Sequence, residues 1–264
     1  MKSILIAKNT SELIYQLKIN KGLKVVGGCT KIEELPDKSI STFGIKELSH
    51  INRHERFLDV GPATTLSQLL SVGINHLPQI LYEAIESIAN PMIRNMATVG
   101  GNICFEGQKL TLYAPLLALE AKLEFKSQSE SKIIPIQNFK KVPEGFVLTN
   151  IRIPLIDSDL SIFRRIGPEN TITEQSASFA FIVSTEKNSI IDLKLAFAGP
   201  FIFKSKTLES SLFGLRLPLT QKDIQDIQQQ VQTEFQKAAT DQMISDVMKQ
   251  QFLNLTRYSF EQLS

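Results

Sequence analysis

The sequence predicts an α+β protein of two domains, residues 1–156 and residues 157–264. Three observations support this organisation. Segments with the apolar spacing of helices are interspersed with short apolar segments that are typical of strands. The chain has 264 residues, enough for one large domain or two moderate ones with a real core. A polar stretch at Asp157–Ser161 follows Pro154 and marks the expected boundary.

Helices and strands follow one another in the first domain. Four helices are predicted: Ser11–Asn20, a helix that ends near Ser71, Pro78–Ala89 and Tyr113–Ala121. Ser11 is the expected N-cap of the first helix, and Thr64 or Thr65 that of the second. The predicted strands are Leu23–Val26, Phe57–Val60 and a β-rich stretch over Lys122–Pro154, with turns at Gln128–Ser131 and Pro143–Gly145. We expect Pro91 to stop the third helix because proline cannot continue the hydrogen-bond ladder.

The second domain is predicted to contain an antiparallel sheet and terminal helices. Strands near Ser178–Thr185 and Asp192–Ala198 are joined by a turn at Lys187–Asn188. Helices follow at about Thr220–Ala239 and Gln242–Glu261. The first of these carries an apolar stripe that lasts barely two heptads, so a packed terminal helix is favoured over a coiled-coil arm.

Composition argues against several classes of partner. The chain has 29 basic and 27 acidic side chains, a net charge of +2, which is too small a field to indicate nucleic acid or an anionic membrane. No run of about 18 apolar residues occurs, so no membrane span is expected. The N-terminal segment lacks a cleavage-site pattern, and we therefore expect a cytoplasmic protein.

The cysteines and histidines do not indicate a metal site. Two cysteines, Cys29 and Cys104, are too few for an iron–sulfur cluster or a cysteine-rich zinc site. Solvated loop histidines are the favoured interpretation of His50 and His54, over a metal-binding pair four residues apart. Any redox chemistry must then come from an organic cofactor.

Two glycine pairs, Gly27–Gly28 and Gly100–Gly101, are the clearest candidates for a binding site. Glycine pairs allow positive φ and expose successive backbone N–H groups to an anion such as a diphosphate. Thr98 and Asn102 add side-chain hydrogen-bonding groups beside the second pair. A turn or bulge would explain either pair alone, and neither pair fits a Rossmann or P-loop pattern.

The second pair belongs to a longer motif. The run Pro91–Ile103 closely resembles the second flavin-binding motif of the FAD-binding (medium) subunits of molybdenum hydroxylases, the xanthine dehydrogenase and carbon monoxide dehydrogenase type. Val25–Ile32 resembles the first flavin loop of this family, and Pro115–Ala121 resembles the helix that follows the second motif. Weaker likeness continues at Ile151–Pro154, Phe163–Gly167, Leu195–Gly199 and Asp241–Leu263.

The resemblance implies a vanillyl-alcohol-oxidase-type FAD-binding domain of two subdomains, followed by a smaller α+β C-terminal domain. It implies FAD as the cofactor, with the diphosphate at the glycine loops. Thr111 corresponds to an aspartate near the sugar hydroxyls in many members, and Ile88, Leu148 and Arg164 correspond to residues near the rings. The implied cofactor-binding residues are Val26, Gly27, Gly28, Cys29, Thr30, Lys31, Ile88, Thr98, Val99, Gly100, Gly101, Asn102, Thr111, Leu148 and Arg164.

The implied activity is electron transfer. In the family, FAD receives electrons from iron–sulfur clusters after substrate is oxidised at a molybdopterin-bound molybdenum on another chain, and passes them to NAD or another acceptor. The resemblance therefore implies an iron–sulfur subunit and a molybdopterin-binding subunit as partners, and no catalytic side chain or metal ligand in this chain. A positive charge at Arg164 is expected to favour the reduced, anionic flavin.

Two alternatives stay open, and departures from the family pattern support the first of them. The first loop reads Cys29-Thr30-Lys31 where the family has an aspartate, and Thr111 cannot accept hydrogen bonds from sugar hydroxyls as a carboxylate does. One alternative is an assembly subunit that has lost FAD, and the other is a stand-alone FAD oxidoreductase. Cys29 and Cys104 are interpreted as small packing residues rather than a redox pair, and Arg94 as a phosphate contact or a loop clamp.

Overall fold

The computed structural model describes residues 3–168, 171–240 and 244–264. The chain forms two compact units. The first unit comprises Met1–Leu77, Ile88–Glu106 and Glu120–Leu155, and the second comprises Pro78–Ser87, Gly107–Leu119 and Ile156–Ser264. The second unit thus includes two short segments from the first 156 residues. A division of the sequence at residue 156 into independently folding domains stays a prediction.

The described residues form helices and strands in an α+β arrangement, as predicted. The helices are α1 (Thr10–Ile19), α2 (Leu66–Leu70), α3 (Gln79–Glu86), α4 (Pro91–Arg94), α5 (Val99–Ile103), α6 (Tyr113–Ala118), α7 (Lys206–Ser211), α8 (Gln221–Ala238) and α9 (Asp246–Glu261). The strands are β1 (Ser3–Ile6), β2 (Lys24–Val26), β3 (Lys38–Ser41), β4 (Ile51–Arg53), β5 (Phe57–Val60), β6 (Lys122–Lys126), β7 (Ser131–Pro135), β8 (Val147–Pro154), β9 (Leu160–Ile166), β10 (Ala177–Glu186), β11 (Ser189–Ala198) and β12 (Ile202–Phe203).

A three-stranded parallel sheet in the first unit carries the first glycine loop. Its strand order is β1-β3-β2, and Leu13 of α1 packs with Ile40 of β3 in a small apolar core. The expected N-cap of α1 was wrong. Asn9, in extended conformation, caps the helix by accepting a hydrogen bond from the Glu12 N–H at 2.8 Å, so the helix begins at Thr10 rather than after Ser11.

An antiparallel five-stranded sheet forms the rest of the framework of the first unit. Its strand order is β4-β5-β8-β6-β7, which confirms the β-rich interpretation of Lys122–Pro154. Thr65 is the N-cap of α2 with a complete capping box, also as expected. The expectation for Pro91 was wrong: α3 already ends at Glu86, and Pro91 occupies the first turn of α4, where its missing N–H costs nothing.

The second unit has an antiparallel sheet with the order β12-β11-β10-β9. Lys187 and Asn188 form the predicted turn, both with positive φ. The apolar stripe of α8 is buried, which confirms a packed helix: Phe235 stacks on Phe252 of α9 with ring centroids 4.0 Å apart. The predicted start of the last helix, Gln242, lies outside the described residues, and α9 has Ser245 as its N-cap.

None of the helices in the described ranges combines the length and the apolar character that a membrane span requires.

An ion pair between a largely buried carboxylate, Asp59, and a half-exposed guanidinium, Arg152, joins β5 to β8 across the larger sheet. Arg152 donates from Nε and Nη2 to the two carboxylate oxygens of Asp59, each at 2.9 Å, and Asn150 donates to Oδ1 at 3.1 Å. The Asp59 side chain is only 13% exposed. Burial alone would raise the pKa of Asp59, but the hydrogen bonds from Arg152 and Asn150 and the nearby positive charges together lower it.

The two flanking histidines extend this cluster. His50 Nε2 lies 3.1 Å from the Asn150 side-chain oxygen, and its Nδ1 lies 3.0 Å from the Glu47 carbonyl. His54 is half exposed, stacks on Phe57, and lies 3.6 Å from Asp59. His50 therefore lies in the loop before β4, as expected, but it is partly buried and both ring nitrogens lie within hydrogen-bonding distance of protein atoms, so it is not simply solvated.

We predict that Asp59→Asn destabilises the chain by about 1–3 kcal/mol at neutral pH, because the charged partner of Arg152 is lost. Since folding lowers the pKa of Asp59, its contribution is complete above the unfolded value of about 3.9 and is lost as pH falls below it. Urea unfolding of both proteins from pH 7 downward measures this. The stability gap should stay constant to about pH 4 and then close.

The matched control is Asp192→Asn, which removes a more exposed carboxylate that lies 3.2 Å from Lys194. It is expected to cost less than about 1 kcal/mol. Equal losses for the two variants would contradict the structural importance of the Asp59–Arg152 pair.

Candidate cofactor site

The first glycine loop leaves the carboxyl end of β2. Val26 is the last residue of this strand and pairs in register with Ser41 of β3. Cys29 follows the two glycines with φ of 55°, a left-handed conformation that is uncommon for a residue with a side chain. Gly27 and Gly28 are half-buried, whereas Cys29, Thr30 and Lys31 are exposed. The loop therefore presents its second half to solvent.

Close packing explains why glycine occupies positions 27 and 28. A Cβ on Gly28 would lie 1.7 Å from the carbonyl oxygen of Met96, and one on Gly27 would lie 2.7 Å from Thr98 Oγ1. None of the four glycines in the two pairs has a positive φ, so conformational freedom is not the reason for them. The two glycine loops lie directly against each other.

The first loop also carries backbone donors that the chain does not use. Within the described residues, no acceptor pairs with the N–H groups of residues 27–30. The Cys29 thiol donates to the Gly27 carbonyl at 3.3 Å. A run of N–H groups in a tight turn is the arrangement that binds phosphate oxygens in other proteins.

The second loop is built differently. Thr98 caps α5 by accepting from the Gly101 N–H at 3.1 Å. The Val99 N–H donates to Thr64 and the Gly100 N–H donates to Pro62, at 3.0 and 2.8 Å. These backbone donors are engaged within the protein, so the second loop positions the first and offers a ligand mainly its side chains. Thr98 and Asn102 are both largely buried there.

The remaining predicted site residues fall into both units. Ile88 and Leu148 are buried in the first unit. Thr111 is buried just before α6 in the second unit. Arg164 is exposed on the edge strand β9 of the second unit, and its Nη1 donates to the Phe163 carbonyl at 2.7 Å.

The structure defines the surroundings of Arg94 and of the two cysteines. Arg94 donates from Nη1 to the carbonyls of Ile88 and Ala89, at 2.8 and 3.0 Å, and so acts as a loop clamp. Both cysteines are free thiols, Cys29 exposed and Cys104 half-buried. The interpretation of Cys29 as a packing residue was therefore wrong. Its partial burial raises the pKa of the thiol.

Sequence reasoning missed the backbone groups that shape the site. Met96 carries the carbonyl against which Gly28 packs, while Pro62 and Thr64 accept from the second loop. Gly61 and Pro62 break the chain after β5, but nothing in the local sequence indicated that the Pro62 carbonyl faces α5. Over the described residues, no group of histidine, cysteine and carboxylate side chains is arranged to hold a metal ion.

Comparison with known proteins identifies the family. The sequence model described as "FAD binding domain in molybdopterin dehydrogenase" matches residues 1–156. The chain belongs to this family. Its cofactor is FAD, and it is a subunit of a flavoprotein oxidoreductase of the xanthine dehydrogenase family. The resemblance drawn from residues 91–103 is thereby confirmed.

Two relatives and one solved structure illustrate the match. The glyceraldehyde dehydrogenase medium chain of Sulfolobus acidocaldarius is 25% identical over 192 residues, which cover 69% of this chain and 68% of that one. The xanthine dehydrogenase FAD-binding subunit of Escherichia coli O157:H7 is 43% identical over 88 residues, which cover 33% of this chain and only 30% of that subunit. A chain of carbon monoxide dehydrogenase from Hydrogenophaga pseudoflava superposes with a TM-score of 0.81 at 17% identity, covering 99% of this chain and 95% of that one.

The structural match confirms the predicted FAD-binding fold. The first loop also fits the FAD diphosphate chemically, because residues 27–30 offer backbone N–H groups that are not used elsewhere in the described chain. The second loop packs behind the first and supports it, because the N–H groups of Val99 and Gly100 already donate to protein carbonyls.

We predict that Gly28→Ala strongly destabilises this FAD-binding subunit. The added Cβ would overlap the Met96 carbonyl, and the backbone must move, at a cost of about 3 kcal/mol or more. Thermal unfolding of the purified chain measures the effect. Gly101→Ala is the matched control, because its Cβ meets only the Thr98 hydroxyl, at 3.0 Å. A Gly28→Ala chain as stable as Gly101→Ala would refute the packing argument.

Proposed function

We propose that this chain binds FAD at the loop 26–31 and serves as the electron-transfer subunit of a molybdopterin-dependent dehydrogenase or hydroxylase. The proposal rests on the backbone N–H groups of the first glycine loop, for which the described residues offer no acceptor. These four N–H groups are fixed in position by the contact of Gly28 with Met96, in a chain of the FAD-binding family. Fixed donors bind an anion without a cost of reorganisation.

Several of the predicted residues then have a binding task. The N–H groups of Gly27, Gly28, Cys29 and Thr30 hold the diphosphate, and Thr98 keeps its hydroxyl hydrogen available beside them. Ile88 and Leu148 supply apolar surface for the rings, while Thr111 offers one hydroxyl to a sugar. The complete proposed set, with Val26, Lys31, Val99, Gly100, Gly101, Asn102 and Arg164, is the one implied by the sequence. Bound FAD supplies the redox chemistry itself.

The partners follow from the relatives and from the cysteine count. The relatives are named as a medium chain and an FAD-binding subunit of dehydrogenases, which points to an assembly of several chains. Two cysteines are too few to hold an iron–sulfur cluster. We therefore propose that a separate iron–sulfur subunit delivers electrons, that a molybdopterin-binding subunit oxidises the substrate, and that NAD or another acceptor receives the electrons.

We predict that the purified chain, incubated with FAD and desalted, retains flavin absorption bands, and that FAD is released on denaturation. Cys29 provides an independent readout, because its exposed thiol lies inside the proposed site. In Cys104→Ser, saturating FAD should slow alkylation of Cys29 by at least about tenfold, since occupancy of the loop excludes the reagent. Alkylation proceeds through the thiolate, and burial raises the pKa of the Cys29 thiol, so the rates with and without FAD are compared at one alkaline pH.

Riboflavin is the matched control for this experiment, because it carries the same ring without phosphates. It should protect Cys29 little at the same concentration. A chain that stays colourless, with no protection of Cys29 and no quenching of FAD fluorescence, would overturn FAD binding by the isolated chain and favour the assembly-subunit alternative. A flavin-loaded chain that oxidises a substrate without partners would favour a stand-alone oxidoreductase.

We also predict that Arg164→Ala lowers the midpoint potential of bound FAD, because a positive charge near the ring favours the form with more negative charge. Arg164→Lys should retain most of the effect. Arg257→Ala removes one positive charge from the outer surface of α9, where Arg257 pairs with Glu261, and should leave the potential unchanged. An unaltered potential in Arg164→Ala would place this guanidinium away from the flavin.

A further inference from the structure

Phe43 follows the end of β3 at the same edge of the sheet as the first glycine loop. Strands β2 and β3 are parallel neighbours, so their carboxyl ends lie side by side. Beyond the paired residues, Thr42 is bonded to the last residue of β2: its N–H and its hydroxyl both donate to the Val26 carbonyl, at 3.0 and 3.3 Å. The residue directly before Phe43 is thus hydrogen-bonded to Val26, where the glycine loop begins.

The turn that carries Phe43 is fixed on both sides. The Phe43 N–H donates to the Ser41 hydroxyl at 3.0 Å, and the Ile45 N–H donates to the Thr42 carbonyl at 3.3 Å. Gly44 has φ of +84°, which lets the chain turn back sharply, and Ile45 is completely buried in the small core. The backbone of this turn is therefore set by the fold.

The Phe43 side chain is nevertheless 84% exposed, the highest value among the large apolar side chains that are exposed in the described ranges. A single exposed apolar residue needs no explanation on its own. Here, however, a fixed backbone presents an aromatic ring beside a loop whose N–H groups are unused. In FAD an aromatic ring system lies on each side of the diphosphate, so a ring contact next to a diphosphate loop matches the ligand.

We propose that Phe43 is a ring-contacting residue of the cofactor site, packing against one of the two aromatic systems of FAD. This inference rests on the proposed binding of FAD at the loop 26–31. Packing of an aromatic ring against Phe43 removes apolar surface from water and adds a stacking or edge contact. The contact adds to the hydrogen bonds that the N–H groups of the loop donate to the diphosphate.

The test is the dissociation constant of FAD, measured by fluorescence titration of the purified full chain. Phe43→Ala should weaken FAD binding by roughly tenfold, as expected for loss of one aromatic contact. Phe43→Tyr keeps the ring and should bind within about twofold of the original chain. The thermal midpoint of the cofactor-free protein should not change in Phe43→Ala, because the side chain packs little against the protein.

Phe213→Ala is the matched control, since Phe213 is also a strongly exposed phenylalanine, at 67%, in the second unit. It should leave FAD binding unchanged. Titrations of Phe43→Ala with ADP and with FMN identify the ring that Phe43 contacts. If the variant binds only ADP more weakly than the original chain does, Phe43 contacts the adenine. If it binds only FMN more weakly, Phe43 contacts the flavin ring.

Two outcomes overturn the proposal and are distinguishable. If the original chain binds FAD and Phe43→Ala binds it equally well, Phe43 is not part of the site, although the proposed function stands. If the original chain does not bind FAD at all, the proposed function fails and the inference about Phe43 fails with it.

Discussion

The close approach of two backbone segments at Gly28 and Met96 is the constraint on which the site depends. A single Cβ at position 28 would lie 1.7 Å from the Met96 carbonyl oxygen, so the approach is possible only with glycine. This contact fixes the first loop against the second, and the second is in turn bonded through Val99 and Gly100 to the carbonyls of Thr64 and Pro62. The unused N–H groups of residues 27–30 therefore belong to a loop that is supported from behind.

Sequence patterns drew attention to the two glycine pairs, but conformational freedom was the wrong reason for them, because none of the four glycines has a positive φ. The structure shows close packing of one backbone segment against another at these positions, while their contact with a ligand stays a prediction. Such backbone contacts join residues that are far apart in sequence, and a local pattern contains no signal for them. The engaged donors of the second loop were missed for the same reason, because the accepting carbonyls of Pro62 and Thr64 belong to a distant turn.

Elements of the fold were predictable where their apolar pattern was long or their turn chemistry was specific. The stripe of α8, strand β5 and the turn at Lys187–Asn188 were found with accurate positions. Strands β1 and β3 were missed because neither shows a clear alternation of apolar and polar residues: β1 is exposed along its length, and β3 has one large apolar residue, Ile40. The prediction at Pro91 was wrong because proline is found both just after the end of a helix and in the first turn of one. Here the Asn90 side chain accepts from the Ile93 N–H, which places Pro91 in the first turn of α4.

Long-range contacts, rather than position in the sequence, also decide which of the two units a segment belongs to. The segment 107–119, which carries Thr111, belongs to the second unit, where Lys109 donates to the Gly199 carbonyl at 2.8 Å and Lys204 donates to the Leu117 carbonyl at 3.3 Å. Lys204 is almost completely buried, so its ammonium group needs such acceptors. The position of Thr111 is thus set by the C-terminal sheet region, although its sequence neighbours resemble the FAD-binding half.

The left-handed conformation of Cys29 connects the departures of this sequence to its binding chemistry. A residue with a side chain pays about 1–2 kcal/mol to adopt this conformation, and it persists only where the surrounding structure requires it. Here the requirement comes from Gly28, which is held against Met96, and from strand β2, which ends at Val26. A left-handed residue in a turn directs neighbouring N–H groups toward one side, which is the geometry that an anion uses. The replacement of the family's aspartate by Cys29-Thr30-Lys31 changes the side chains around this arrangement and leaves the backbone donors in place. Those donors are the groups to which the proposed binding of the diphosphate is assigned.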